Sequence, residues 1–558
     1  MANILTPLSL WNDFDNLLDT EAKIISTKES GVMTVDSIEL LGRDTGMGRV
    51  RIAASFAWNS QSPARETVLI MPDSCDTIDE EVLEYFVSKG YSALMVDYRG
   101  EWKDCSFYTS YPENIDYANT FKCGRRKDYV DDSADKTCWY EWVIVGLYAR
   151  KYITERTGDD SIAAIGFRDG GEIVWKLGVA GKFSCIIPVC AAGWSAYRGI
   201  SKHISKEPAM DEERYRFIAG IDSQAYAPYV KCPVLMLCST NDKRFDYDRA
   251  YDTFSRINAE FVKESLISYS VHTNACIGLK SCENMLLFLD KNLRKTEIAI
   301  PKPAELSVET DEQQNLIAKA VLYNAEEVDE CVMYLAEDCL ESSLREWNVC
   351  PLKETPSDAE RHFYLNIYEK SSTIFVLCHA KYKNGFTVWS KIIVRKLNGK
   401  FRNMQKKNKV LYTNSYDRAG FSFANTNKNT VGGLLIADRN VLPRLVAKAK
   451  GVYGLSSPCG LTSFRANNPA YAPSAGNILS IDVFCDRGEN VVISLKDWET
   501  DEEYSASFSV LGGVWQKIVA ECKVFKNSSG VPLDNFEKEL VFTINSSSPF
   551  AINNFIWL

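Results

Sequence analysis

Residues 163–178 read AAIGFRDGGEIVWKLG, and the order within that stretch decides the fold. An apolar run ending at Ile165 leads into Gly166-Phe167-Arg168-Asp169-Gly170-Gly171, and apolar residues at helical spacing follow. The order predicts a strand, a sharp glycine-flanked turn and a helix, with the spacing G-x-Nuc-x-G. Such a turn lifts its central residue above the sheet, where a Ser, Cys or Asp would serve as nucleophile. Here the central slot holds Arg168, whose guanidinium stays protonated and cannot attack. Asp169 is the adjacent carboxylate, but shifting the frame by one sets Phe167 where a small residue is needed.

Outward from this turn, residues 66–294 alternate two textures. Short apolar runs (ETVLIMP, YSALMVDYRG, FSCIIPVCA, CPVLMLCST, SLISYSV) read as strands, and IDEEVLEYFVSKG, TCWYEWVIVGLYARKYITERTG and CENMLLFLDKNLR read as helices. That alternation predicts a mainly parallel sheet with helices on both faces. TVDSIELLGRD and GRVRIAASFAW, before it, read as two antiparallel strands extending the sheet edge. After Pro301-Lys302-Pro303 the pattern becomes alternating strands. The fold class expected is multidomain: an α/β domain over 1–300, an immunoglobulin-sized β-sandwich over 301–404, and a jelly roll over 405–558. The basic run between Lys400 and Lys409 reads as a linker.

Composition removes several classes of function. A net charge of −10 leaves no basic surplus for a nucleic-acid backbone. No apolar run approaches the roughly 18 residues that span a bilayer, and the first twenty residues lack the n-region and h-region of a signal peptide. Seventeen cysteines without a C-x-x-C pair, many in apolar runs, suit a reducing cytoplasm. Four histidines (203, 272, 362, 379) lack ligand spacing, so neither a metal nor a cofactor is expected.

Several stretches together resemble the α/β-hydrolase superfamily, within it the acetyl xylan esterase and dienelactone hydrolase-like branch. They are LWNDFD, VLIMPDSCDT, GYSALMVDYRGEW, CPVLMLCSTNDKRFD and SYSVHTNACIG. The resemblance implies that Asp242 stands at the position of the triad acid, His272 at that of the base, and Ser74 and Cys75 in the oxyanion loop. Arg168 in the nucleophile slot is the departure from the pattern. The C-terminal stretch from YSASFSVLGG to FAINNFIWL resembles jelly-roll carbohydrate-binding modules, where Tyr453, Tyr471, Trp498 and Trp515 either stack on sugars or fill a core.

Three readings of Arg168 stay open at this level. It plugs a dead pocket by pairing with Asp169, Asp73 or Asp242; it receives an anion; or catalysis has moved to water, Ser74 or Cys75, activated by His272 and Asp242. Trp194, in CAAGWSAYRG, and Asp169 are candidate ligand contacts. The tyrosine-rich loop 101–136, bracketed by Cys105 and Cys123, either lids the pocket or packs on the sheet edge. Three functional expectations follow. One is a degenerate, non-hydrolytic esterase-like protein binding a small or glycan-derived ligand. Another is an active carboxylic-ester hydrolase on acylated carbohydrate, and the last is a scaffold. A small-molecule or carbohydrate partner is expected in the first two, with no nucleic acid and no membrane.

Overall fold

The computed structural model describes residues 4–558 apart from 12–16, 102–104, 124–126, 199, 205–206, 243–245, 272–282, 369–370, 406–407, 414–419, 424–443, 459 and 539. His272 therefore lies outside the described residues. Nine strands form the first sheet: β1 (Lys23–Ser30), β2 (Met33–Asp44), β3 (Arg49–Asn59), β4 (Thr67–Met71), β5 (Ser92–Val96), β6 (Ile162–Phe167), β7 (Cys185–Val189), β8 (Leu235–Ser239) and β9 (Leu266–Ser270). Their order is β1-β2-β3-β5-β4-β6-β7-β8-β9. The first three strands are antiparallel to their neighbours, and every pair from β5 onward is parallel. Buried on both faces, the parallel strands read as unbroken apolar runs; β4, β5, β6, β7 and β8 are buried at every position.

Eight helices complete this unit among the described residues: α1 (Pro7–Trp11), α2 (Glu80–Ser88), α3 (Thr120–Cys123), α4 (Cys138–Thr157), α5 (Asp169–Ala180), α6 (Glu212–Gly220), α7 (Tyr247–Phe254) and α8 (Glu283–Leu293). Their ends follow local chemistry. Thr137 accepts the N–H of Tyr140 to start α4, and Gly158, at φ +68°, ends it in the left-handed region that a β-carbon resists. Three antiparallel strands, then parallel strands with helical crossovers and a sharp β6–α5 turn, make the N-terminal half α/β-hydrolase-like.

Among the described residues after 304 there are sheets and short 3₁₀ turns but no α-helix. Strands β10 (Glu305–Thr310), β11 (Leu316–Val321), β14 (Leu352–Ser357) and β15 (Glu360–Tyr364) form one sheet. Facing it are β12 (Val328–Glu337), β13 (Asn348–Val349), β16 (Thr373–Tyr382), β17 (Thr387–Trp389) and β18 (Ile393–Lys396). Two further sheets lie within 410–557, with their own core of Leu455, Ile481, Ile493, Phe542 and Phe555. Tyr471 belongs to that core, whereas Tyr453 is exposed.

The middle unit is welded to the first. Trp347, Phe375, Leu377 and Trp389 join one hydrophobic cluster with residues of the nine-stranded sheet and its helices. Polar bolts lie alongside. Asn241 donates to the carbonyls of Ser343 (3.0 Å) and Arg345 (2.7 Å), and Asn284 exchanges hydrogen bonds with the backbone of Thr387. Arg345 lays both terminal nitrogens on Asp248 at 2.7 Å, and Glu346 pairs with Arg465 of the C-terminal unit at 2.9 Å. Two adjacent residues, 345 and 346, thus face opposite units.

Candidate functional site

The turn between β6 and α5 is built by steric necessity. A β-carbon on Gly166 would lie 2.1 Å from the carbonyl oxygen of Gly170, and one on Gly170 would lie 2.1 Å from that of Met71. Strand, turn and helix approach too closely for any side chain at those two positions. Arg168 sits at the apex with φ +51° and ψ −108°, a conformation costing a non-glycine residue about 1–3 kcal/mol. Its N–H donates to the Val189 carbonyl (2.9 Å), and its own carbonyl accepts from Glu172 (2.9 Å). A tight strand–turn–helix is therefore present in full, with the Arg168 guanidinium at its apex.

Above the turn lies a cleft of about 230 Å³, walled by Lys127, Trp139, Arg168, Asp169, Glu172 and Arg198 among others. Arg168 pairs with Asp73 at 3.9 Å and keeps 13% of its side chain exposed. Asp169, its sequence neighbour, turns elsewhere. It accepts the Ser74 hydroxyl at 2.5 Å and the Lys127 ammonium at 2.5 Å, while Lys127 also donates to Ser74 Oγ at 2.6 Å. Of the three carboxylates anticipated for Arg168, Asp73 is the one found paired with it.

Ser74 and Cys75, expected in an oxyanion loop, differ from each other. Ser74 is completely buried inside that three-way contact, and Cys75 is exposed. Asp242 is buried directly after β8, where its charge helps burial push the Cys238 thiol upward. Trp194 stands at the edge of this region without lining the cleft. Its indole donates to Thr253 at 3.0 Å and is flanked by the guanidinium groups of Arg249 and Arg256. Its backbone N–H is held by Gln224. The side chain is thereby committed to packing against α7.

The cleft floor continues into a buried ionic network. Glu172 accepts from the Gly193 N–H at 3.0 Å and from the Ser223 hydroxyl. Lys176, one helical turn further along α5, is buried against the rings of Trp139 and Tyr226 and donates to Ser223 (3.2 Å). Burial pulls the Lys176 pKa down to about 8, and burial together with nearby Glu172 raises Asp222 to about 6. The Gly193 N–H and the Ser223 hydroxyl hold the Glu172 carboxylate at the cleft wall.

Sequence reasoning missed Lys127, Glu172 and Arg198. The first lies in the loop 101–136, whose tyrosines drew attention while its basic run GRRK did not. Its Trp139-anchored position (the indole donates to the Lys127 carbonyl at 2.8 Å) brings that loop to the cleft. The same loop also packs across the carboxyl end of the interior strand β5, where the Thr109 N–H donates to Asp97 and the Tyr111 hydroxyl donates to the Tyr98 carbonyl. Among the described residues no cluster of three His, Cys, Asp or Glu side chains is placed to hold a metal ion.

No family model matches the chain, and no curated protein matches it significantly. Solved structures align over its N-terminal half at low identity. An acetyl xylan esterase from Paenibacillus sp. R4 is 15% identical, covering 51% of this chain and 92% of its own, with a TM-score of 0.38. Acetyl xylan esterase 1 from Thermoanaerobacterium sp. JW/SL YS485 is 12% identical, with 51% and 90% covered and a TM-score of 0.36. An esterase of Pyrococcus furiosus is 13% identical, with 50% and 100% covered and a TM-score of 0.33.

Proposed function

We propose that this chain is a non-hydrolytic α/β-hydrolase-like protein that binds a small hydroxylated carboxylate, such as a sugar acid, over Arg168. One observation carries the reading: a guanidinium stands at the apex of a tight, strained strand–turn–helix, where the resemblance sets a nucleophile, and lines an open cleft. Strain of that size is retained where the side chain it aims has a use. The fork of Arg168 suits a carboxylate bidentately, and the positive end of α5 together with Lys127 and Arg198 reinforces it. Glu172, fixed by Gly193 and Ser223, and Asp128 supply acceptors for the hydroxyls of the same ligand.

The test is calorimetric titration of D-glucuronate, acetate and inorganic phosphate into the wild type and Arg168→Ala. Glucuronate is expected to bind best, and binding is expected to vanish in the variant. Equal binding by both proteins would sink the reading.

A second reading, ester hydrolysis through Ser74, is supported by the contact of its hydroxyl with Lys127 and Asp169. It ranks lower because Ser74 is fully buried and would have to be uncovered to meet an acyl group. Hydrolysis of nitrophenyl acetate by the wild type, lost in Ser74→Ala and retained in Arg168→Ala, would reverse that ranking.

A further inference from the structure

Gly193, Ser195 and Arg198 reach the cleft above Arg168 on one loop, and that loop is held at three consecutive backbone positions. The N–H of Gly193 donates to Glu172 at 3.0 Å, that of Trp194 to Gln224 Oε1 at 2.8 Å and that of Ser195 to Asp222 at 3.2 Å. Gln224 in turn donates to the second oxygen of Asp222 at 3.0 Å. The loop lies so close to these groups that a β-carbon on Gly193, at φ +74°, would stand 2.3 Å from Gln224 Oε1. Trp194 follows at φ +60°, a left-handed conformation that a bulky residue keeps only where its surroundings impose it.

This clamp spends buried polar groups on a loop at the surface. Asp222 and Gln224 are both buried, and burying a carboxylate costs desolvation. What the clamp presents to the cleft is Arg198. The other charged groups lining the cleft are already satisfied: Asp169 by Lys127 at 2.5 Å, Asp128 by Arg214 at 3.8 Å and Arg168 by Asp73 at 3.9 Å. Glu172 accepts from Gly193 and Ser223. Arg198 is exposed, and among the described residues its guanidinium has no partner. An arginine that merely faces water needs no such scaffold, whereas one carried on a fixed, strained loop is pre-organised for an anion.

We propose that Arg198 is the second anchor of this cleft and that its ligand is a hydroxylated dicarboxylate, an open-chain sugar diacid, with one carboxylate on Arg168 and the other on Arg198. The proposal rests on carboxylate binding at Arg168 and narrows the class of ligand that follows from it. Two guanidinium groups on separate loops, each able to hold a carboxylate through two parallel N–H donors, select a molecule that is acidic at both ends. Glu172 and Asp128 lie on the wall of the same cleft and receive hydroxyls of the chain between them. The cleft volume of about 230 Å³ lies below the about 300–1,000 Å³ of drug-sized sites, which limits the occupant to one short chain.

The experiment titrates D-glucarate and D-glucuronate, which differ by one acid group, into the full chain by calorimetry. Glucarate is expected to bind the wild type about tenfold more tightly, the effect of one charge-assisted hydrogen-bonded pair. Arg198→Gln is expected to bring the ratio of the two affinities close to one, with an unchanged thermal midpoint because the side chain is exposed. Arg198→Lys is expected to keep part of the preference, and Arg168→Ala to abolish binding of both. A ratio near one in the wild type, or a preference that survives Arg198→Gln, overturns the proposal and leaves Arg168-dependent glucuronate binding standing. Failure of the wild type to bind either acid removes the carboxylate reading of the cleft and the proposal with it.

Discussion

Arg345, at the seam between the α/β unit and the sandwich, is completely buried and spends both terminal nitrogens on Asp248 at 2.7 Å. Arg168, at the elbow, pairs with Asp73 at 3.9 Å and still lines a cleft. The backbones differ in the opposite sense. Arg345 follows a short 3₁₀ turn at an ordinary φ of −67°, whereas Arg168 is held at φ +51°. The seam invests in a saturated side chain on relaxed backbone; the elbow invests backbone strain in an accessible side chain. The first arrangement fixes units together, and the second is what a binding or reacting site requires.

The strongest way to break this contrast is at the seam. Arg345→Met leaves Asp248 buried without its partner and is expected to cost about 3–5 kcal/mol. Urea denaturation would measure the loss, with faster proteolysis between the first two units as a companion readout. A variant as stable as the wild type would mean that the seam does not depend on the pair.

Acid acts on the same seam through His379. The folded chain keeps this imidazole neutral down to about pH 4, chiefly by burial, while an unfolded histidine titrates near 6.5. The unfolded state takes up the proton first, so stability is full above pH 6.5 and falls as pH drops toward 4. The expected loss is up to about 3 kcal/mol, and it should flatten in His379→Phe. Denaturation midpoints of the wild type and His379→Phe compared across that window would show a difference in proton uptake near one, or refute it.

At the elbow, Gly170→Ala drives a methyl into the Met71 carbonyl. A loss of about 2 kcal/mol is expected, together with loss of carboxylate binding as the turn shifts. Retention of both would mean that the close approach is dispensable. The smallest expected effect separates the two arginines most cleanly. Arg168→Gly relieves the positive φ and should raise stability by about 1 kcal/mol, while abolishing glucuronate binding. A destabilised Arg168→Gly would instead place Arg168 with Arg345, as a structural plug.

The legible parts of this molecule were those whose cause is local. The pattern G-F-R-D-G-G forecast the β6–α5 turn because close packing of strand on helix excludes side chains at fixed offsets. Thr137 and Gly158 bound α4 because a cap is a matter of a few residues. The change of texture after residue 300 marked sheets because alternation reports a half-buried strand. Even there, one strand was missed. Lys23–Ser30, exposed at every position, carries no alternation to read.

The cleft was legible only in outline. Asp169 stands next to Arg168 in sequence, yet the turn sends the two side chains apart, one to Asp73 and the other to Ser74 and Lys127. Trp194 fell where an aromatic could line the pocket, but the packing of α7 captured its indole. Tyr269 and His379 lie over a hundred residues apart, and nothing in either neighbourhood marks them as facing one cavity.

By itself, then, the sequence determined the elements, the elbow and the residue at its apex, because propensity, capping and steric exclusion act between near neighbours. Only the tertiary structure decided which charges meet, which aromatic rings are spent on packing and which distant residues come to line a common cavity. Those outcomes depend on how elements pack across the sheet and between units, where partners are chosen by proximity in space.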